Sequence, residues 1–255
     1  MHDTKLSVII VTKNEAHNIR ACLESIAFAN EVILYDCGST DGTPEIALQY
    51  TQKVTVTKDW PGDGPQKNRA LKDATQDWVL CLDADERVSS LLAQEIQETI
   101  PSTPYDAFSI PFHSYYCGHL IRFGAWRGER HVRLFKRQKG RFTEDKVHCH
   151  LQVLGKTGKL KQSVLHYPFH HLGSMLHKLN DYSTQSAASL FQAGKKASLF
   201  TAISHGFWAF FQSYFLKFGF LDGKEGFILA VSNGQGTYYR YLKLMYLTEN
   251  AKKHV

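Results

Sequence analysis

The sequence predicts an α/β protein with a mostly parallel sheet, a smaller mixed sheet after it, and a C-terminal helical region. Three observations carry this expectation. Apolar, β-branched runs alternate with helical patterns over the first 100 residues. Beyond Pro101 the runs become less regular and lose their intervening helices. From Gly173 onward the pattern is helical. At 255 residues, 43% hydrophobic and 21% charged, the chain can bury one large core, or one core and an appendage.

Residues 6–11, LSVIIV, read as a central parallel strand, because strands buried on both faces are continuously apolar. Asn14 is placed to cap the next helix, where Ile19, Cys22, Leu23 and Ile26 recur at helical spacing. Residues 31–36, EVILYD, form the second strand, and CGSTDGT after it is a turn. Thr43 and Pro44 suit the N-cap and first position of a helix reaching Tyr50. A third strand covers 53–57, a helix 66–74, and a fourth strand 77–83. Strands joined by helices give right-handed crossovers and a parallel sheet. Ligands of such sheets bind beyond the carboxyl ends of the strands, where Asp36 and Asp83 both fall. AFSIPFHSYY, HVRLFKR, DKVHCHLQV and LKQSVLHY read as strands of the mixed sheet.

The net charge of +6 permits an anionic partner such as a nucleotide phosphate, an acidic glycolipid or a membrane surface. Lys and Arg are dispersed and no nucleic-acid-binding motif occurs, so no nucleic acid is expected as a partner. Five scattered cysteines lack metal-knuckle or redox spacing and read as free thiols of a reducing compartment. The N-terminal apolar run has neither a basic leader nor a small-residue cleavage site and reads as a strand. No apolar run reaches the roughly 20 residues of a membrane span.

The apolar run VLCL ends abruptly in Asp83-Ala84-Asp85-Glu86. Read plainly, this is a solvated turn before a helix capped near Ser89 and Ser90. At the end of a central parallel strand, though, three carboxylates would repel one another and lose hydration. Asp83 and Asp85, one residue apart, can instead converge on one Mg²⁺ or Mn²⁺ that bridges to substrate phosphates. Thr12 and Lys13 follow the first strand, Asp36 can accept from a ribose or base, and Lys67 sits near a helix start suited to phosphate.

SVIIVTKNEAHNI, ILYDCGSTDGT, GPQKNRAL and LCLDADERV, in this order, resemble glycosyltransferase family 2, in particular its lipopolysaccharide-core β-1,4-glucosyltransferase branch. HVRLFKRQKGRF and FLDGKEGF extend the likeness over nearly the whole chain. The resemblance implies a Rossmann-like GT-A fold over 1–172, with a nucleotide-binding half to about residue 100, an acceptor half over about 101–172, and a helical extension over 173–255. It implies inverting transfer of a hexose, glucose from UDP-glucose being the expected donor, to a lipopolysaccharide inner-core or related cell-surface acceptor. It also implies work in the bacterial cytoplasm or on the cytoplasmic face of the inner membrane. By position, Thr12 and Asp36 would contact the nucleoside, Lys67 the nucleotide, and Asp83 the ribose or metal. Asp85 would be the main ligand of Mg²⁺ or Mn²⁺, and Arg133 would lie near donor or acceptor phosphates.

Two departures stand out. Cys37 replaces the serine of an Asp-Ser-Gly-Ser pattern, and Val147-His148-Cys149 stands where close relatives carry Val-His-Glu, a candidate general base. The base then falls to Glu144 or Asp145 just upstream. Alternatives are a catalytically impaired nucleotide-sugar-binding homologue, favoured by Cys149, and a nucleotidyltransferase, whose Gly-rich basic loop TKNEAHN lacks. His148 and His150 share a strand face but read as pocket-lining residues, with Cys149 pointing the other way. The stretch 204–221, dense in aromatics with lysines nearby, suits either a packed helix or an anionic membrane surface.

Overall fold

A computed structural model describes residues 5–144 and 149–253. Asp145 and His148 therefore lie outside the described residues. Contacts divide the chain into two units, Met1–His113 with Glu129–His166, and Ser114–Gly128 with Tyr167–Val255.

The first unit opens with β1 (Leu6–Thr12), α1 (Ala16–Ser25), β2 (Glu31–Asp36), α2 (Thr43–Ala47), β3 (Val54–Val56), α3 (Asp63–Asp73) and β4 (Trp78–Asp83). Then come β5 (Glu86–Val88), α4 (Ser90–Thr99), β6 (Ala107–Tyr116), β7 (His119–Leu120), β8 (Arg130–Lys136), β9 (Gly140–Phe142), β10 (Leu151–Val153), β11 (Thr157–Lys159) and β12 (Val164–Phe169). The chain ends in α5 (Leu172–Gln192), α6 (Leu199–Phe211) and α7 (Gly223–Lys253). The main sheet runs β3-β2-β1-β4-β8-β6-β12-β5. Its first four strands are parallel, and β8 and β6 join antiparallel.

Both faces of the parallel part are covered, which explains the unbroken apolar runs. Leu6, Val8 and Ile10 pack on one side with Ile19 and Leu23 of α1 and Leu92 and Ile96 of α4. Ile9, Val79 and Cys81 pack on the other with Ala70 and Leu71 of α3. Ser89 caps α4, its Oγ accepting from Leu92 N at 3.2 Å. Cys22, Cys37 and Cys81 are buried free thiols, and Cys117 and Cys149 are partly so.

Three local expectations change. Asn14 does not cap α1, which starts at Ala16. With a positive φ of 56°, Asn14 instead receives Thr40 N on its Oδ1 at 2.9 Å and donates its own N–H to Ser39 Oγ at 2.7 Å. It stitches the end of β1 to the turn after β2. The second helix is shorter than expected, ending at Ala47 with a turn to Tyr50. The third begins at Asp63 and not Gln66, because Gly62 and Gly64 are part of its start and not of the loop.

In the second unit Tyr116, Ile121, Met175 and Leu229 form a core of their own. His171 and Ser198 close capping boxes at the starts of α5 and α6. Asp222 accepts from the backbone N–H groups of Arg122 and Phe123 at 3.1 and 2.8 Å.

Gly64 marks the tightest approach next to the sheet edge. A Cβ there would lie 1.8 Å from the Thr143 carbonyl oxygen. Gly64→Ala is expected to push the segment after β9 away from α3 and to destabilise the protein by about 1–3 kcal/mol, the usual range for overpacking. A urea melt followed by circular dichroism reads this directly, and an unchanged midpoint would refute the close packing.

Candidate active site

The parallel strands deliver their last residues to one edge. Thr12 pairs with Asp36 and Val11 with Asp83 in the sheet register. Neighbouring strands lie about 4.8 Å apart, so the backbones of Asp36 and Asp83 flank β1 at about 10 Å from each other.

Asp36 is fully buried. Its Oδ1 accepts from Ser39 N at 2.7 Å and its Oδ2 from Ser39 Oγ. Its carbonyl accepts from Thr57 N at 2.8 Å. Asp36 thus shapes the turn that follows β2. Asp41 extends that turn by accepting from Thr43 Oγ1 at 2.6 Å and Ala16 N at 3.0 Å. Beside it the Thr12 hydroxyl is buried and has no hydrogen-bond partner among the described residues. A buried, unsatisfied hydroxyl is costly unless a ligand completes it.

The other side of β1 carries a row of alternating charges. Asp63 Oδ2 lies 3.3 Å from Lys67 Nζ, and Lys67 Nζ lies 3.1 Å from Asp83 Oδ1. Arg133 Nη2 donates to Asp83 Oδ2 at 2.7 Å and also to Glu86 Oε1. Glu86 Oε2 in turn accepts from Asp83 N at 3.0 Å. Each element has a reason to present its residue. Asp63 and Lys67 are four apart on α3 and so share a face. Arg133 comes from β8, which pairs antiparallel with β4. Glu86 comes from β5, held by β12 through the Glu86–His166 register.

Burial pushes Asp83 upward, but the Arg133 guanidinium and Lys67 ammonium outweigh it and hold the carboxyl well below its usual range. Burial alone would lower Lys67; the Asp83 carboxylate reverses that and keeps the amine charged. Glu86 is shifted upward, chiefly by burial, with Asp83 and Asp85 adding to the effect against Arg133. Asp85 is nearly buried, and its Oδ2 lies 3.7 Å from His166 Nε2. Burial would lower His166, but its hydrogen bond to Asp85 raises it.

Lys67, Asp83, Arg133, Phe142, Cys149 and His150 line a cavity of about 370 Å³. The Arg133 Nε is buried there without a partner among the described residues. Cys149 Sγ donates to Asp63 Oδ2 at 3.0 Å, and burial with that carboxylate pushes its thiol up to about 12. It stays protonated at neutral pH. Glu144 is exposed, and its Oε1 accepts from Arg141 Nη2 at 3.0 Å and Asn68 Nδ2 at 3.3 Å.

Among the described residues no three His, Cys, Asp or Glu side chains converge as a metal cage. Two carboxylates at the end of β4 still suit a hard cation that completes its shell with water and substrate phosphate. Of the two, Asp83 already serves two cations and Asp85 faces His166.

Asp63 joins the site without having been singled out from sequence, and Glu86, read there only as one of three crowded carboxylates, joins it with His166 opposite. The Asp63–Lys67 spacing was a readable signal once the helix is begun at Asp63. Glu86 and His166 meet only through the pairing of β5 with β12, which no local pattern announces.

Comparison with known proteins identifies the family. The family model described as Glycosyl transferase family 2 matches residues 7–161. A glycosyltransferase of Rickettsia felis is 32% identical over 98% of this chain and 91% of its own length. The lipopolysaccharide core biosynthesis glycosyltransferase LpsC of Rhizobium meliloti is 29% identical over 93% of this chain and 89% of its own. Among solved structures, S. aureus TarS 1-349 in complex with UDP superposes with a TM-score of 0.50 at 16% identity, over 96% of this chain and 91% of that one. With a parallel sheet extended by antiparallel strands and followed by helices, the chain has the GT-A fold and belongs to glycosyl transferase family 2.

Proposed function

We propose that the protein is an inverting glycosyltransferase that moves a hexose, glucose from UDP-glucose, to a lipopolysaccharide inner-core or related lipid-linked glycan at the cytoplasmic face of the inner membrane. The observation that carries this reading is the pair of buried cations, Lys67 and Arg133, gathered on Asp83 at the carboxyl ends of the parallel strands. Such cations, with hydrogen bonds to spare, suit a diphosphate. The unsatisfied Thr12 hydroxyl supports a nucleoside beside β2, with Asp36 holding the turn against it. The similarity to LpsC supports the acceptor class. On this reading the catalytic domain covers 1–172, with the donor bound by its first 100 residues, and 173–255 form the extension.

In the proposed reaction the acceptor hydroxyl oxygen attacks the anomeric carbon as the bond to the diphosphate oxygen breaks. The hydroxyl proton passes to a carboxylate, and single displacement inverts the configuration. Lys67 and Arg133 orient the diphosphate and take up its charge. Asp85, with Asp83, would hold Mg²⁺ or Mn²⁺, which offsets further negative charge on the leaving group. Glu144 or Asp145 supplies the base. The Cys149 thiol, pushed up to about 12, does not.

The cysteine also favours a second reading, a nucleotide-sugar-binding homologue with impaired transfer. A donor screen by calorimetry with Mn²⁺, followed by transfer assays, separates the two. UDP-glucose binding with no turnover on any core acceptor would select the second.

Asp85→Ala is expected to abolish metal-stimulated transfer, a fall of about 10²-fold or more for a group worth several kcal/mol. It should also remove the Mn²⁺ binding heat. Full activity of this variant in EDTA would end the metal assignment. Arg133→Met should weaken UDP-glucose binding about 10- to 100-fold, the worth of a charge-assisted hydrogen bond, while unchanged affinity would take Arg133 off the diphosphate. For the base, Glu144→Gln and Asp145→Asn are compared with Cys149→Ser. One of the first two should lose most of its kcat, and Cys149→Ser should stay within about twofold, because serine can donate to Asp63 as the thiol does. If both carboxylate variants turn over like the wild type, the base lies elsewhere.

A further inference from the structure

α6 is arranged the wrong way round for a helix in water. Its packed positions are the small ones. Ala202 and Gly206 are buried, and a Cβ on Gly206 would come within 2.9 Å of Tyr238 Cβ and 3.1 Å of the Gly234 carbonyl on α7. Its bulky positions point outward, with Phe200, Ile203 and Phe207 exposed by 79, 54 and 67% and Trp208 by 52%. Positions 200, 203 and 207 have the spacing of one helical stripe, which an amphipathic helix in water turns inward.

The apolar surface continues past the helix end. A π-helical turn, Gln212–Leu216, follows directly and leaves Phe215 and Leu216 exposed. The Phe211 ring lies 6.3 Å from Phe207, 5.9 Å from Trp208 and 5.1 Å from Phe215, so the rings form one continuous surface. At roughly 200 Å² per aromatic side chain, half-exposed Phe200, Phe207, Trp208 and Phe215 present on the order of 400 Å². With Ile203 and Leu216 added, the exposed apolar area reaches the size at which a patch on a monomer is often functional.

The charge along this stretch of sequence has one sign. From residue 182 to 221 the sequence contains no Asp or Glu, while Lys195, Lys196 and Lys217 lie within it. The two carboxylates that follow it are occupied within the unit. Asp222 holds the backbone of Arg122 and Phe123, and Glu225 lies 3.6 Å from both Lys224 and His119. Among the described residues no helix is long and apolar enough to cross a membrane. The 13 residues of α6 rise only about 20 Å, against a hydrocarbon core of about 30 Å.

We propose that the outward face of α6 and the turn after it dock on an anionic phospholipid bilayer, with the aromatic rings seated at the boundary between headgroups and acyl chains and the lysines at lipid phosphates. Phenylalanine and tryptophan suit that depth, and lysines in a stretch of sequence without carboxylates suit a negative surface. The proposal stands on the second unit alone and goes beyond the transferase reading, which supplies only the reason for such a contact, a lipid-linked acceptor.

The full chain is mixed with vesicles of phosphatidylglycerol and phosphatidylethanolamine, and separately with vesicles of phosphatidylcholine alone. Binding is expected to the anionic vesicles only and to weaken as salt rises. Phe207→Ser with Trp208→Ser should lower it at least tenfold. Lys195→Glu with Lys196→Glu should lower it several-fold, through charge alone. Brominated acyl chains should quench tryptophan emission in the wild type and not in Trp208→Phe. Absence of binding to anionic vesicles at low salt would overturn the proposal, as would binding that the aromatic pair leaves intact. A dimer in sedimentation equilibrium that the Phe207/Trp208 pair dissolves, with no vesicle binding, would assign the face to a second copy and overturn it too. UDP-glucose calorimetry on the same variants keeps the two readings apart. Donor binding should be unchanged in them, and its loss in the wild type would sink the transferase reading while leaving vesicle binding in place.

Discussion

The site depends on one partly buried arrangement, Asp83 at the rim of the cavity held between the buried Lys67 and the mostly buried Arg133. Each member would be costly alone. A lysine with little exposure would shed its proton and a buried guanidinium would be left unpaired, both at a penalty of several kcal/mol. Asp83 removes both penalties, and it can do so because β4 ends there, between α3 on one face and β8 alongside. Removing one partner leaves a charge in a low-dielectric place, which costs more than the pair contributes. The arrangement is therefore weak as a source of stability and strong as a constraint on geometry. It fixes where two positive groups stand before any ligand arrives, which is the preorganisation that anion binding requires.

The row extends on both sides, and its extensions tie distant segments to the strand ends. Asp63 brings the start of α3 to Lys67 and receives the Cys149 thiol. Glu86 receives Arg133 and is backed by the β5–β12 pair. Negative and positive groups alternate from Asp63 to Glu86, and the like charges that still meet, Asp83 and Asp85 against Glu86, join burial in pushing Glu86 upward. On the proposed reading, an incoming diphosphate would add negative charge at Lys67 and Arg133, where it would compete with Asp83. A cation at Asp85 would ease that competition from the other side.

Much of this was legible in the sequence, because its signals are local. The strand runs 6–11, 31–36 and 77–83 become β1, β2 and β4 within a residue or two, and the rule that ligands sit at carboxyl ends then singles out Thr12, Asp36 and Asp83. What the residues do there was less legible. Asp36 reads from sequence as a nucleoside contact, and the fold adds a role that no local pattern shows, since both its oxygens accept from Ser39. Asn14 looked like a cap and is a tie between two loops. The expected helix over 66–74 starts three residues late, which hides the Asp63–Lys67 pair. The reason for Gly64 is the Thr143 carbonyl, a contact across the chain that carries no sequence signature.

The same limit governs the C-terminal helices, and there it concerns direction. Periodicity reports that large apolar residues share one face of α6, but not whether that face looks in or out. By default the larger stripe is assigned to the core, since burial of aromatic surface drives folding. Ala202 and Gly206 overturn that default. Small residues let α7 approach so closely that Gly234 and Tyr238 fill the contact, and no room is left for a phenylalanine. Helix packing through small residues is the habit of proteins whose surroundings are lipid, where close backbone approach substitutes for a hydrophobic drive. In α6 the backbone contact secures the helix, and the aromatic stripe is released to face outward.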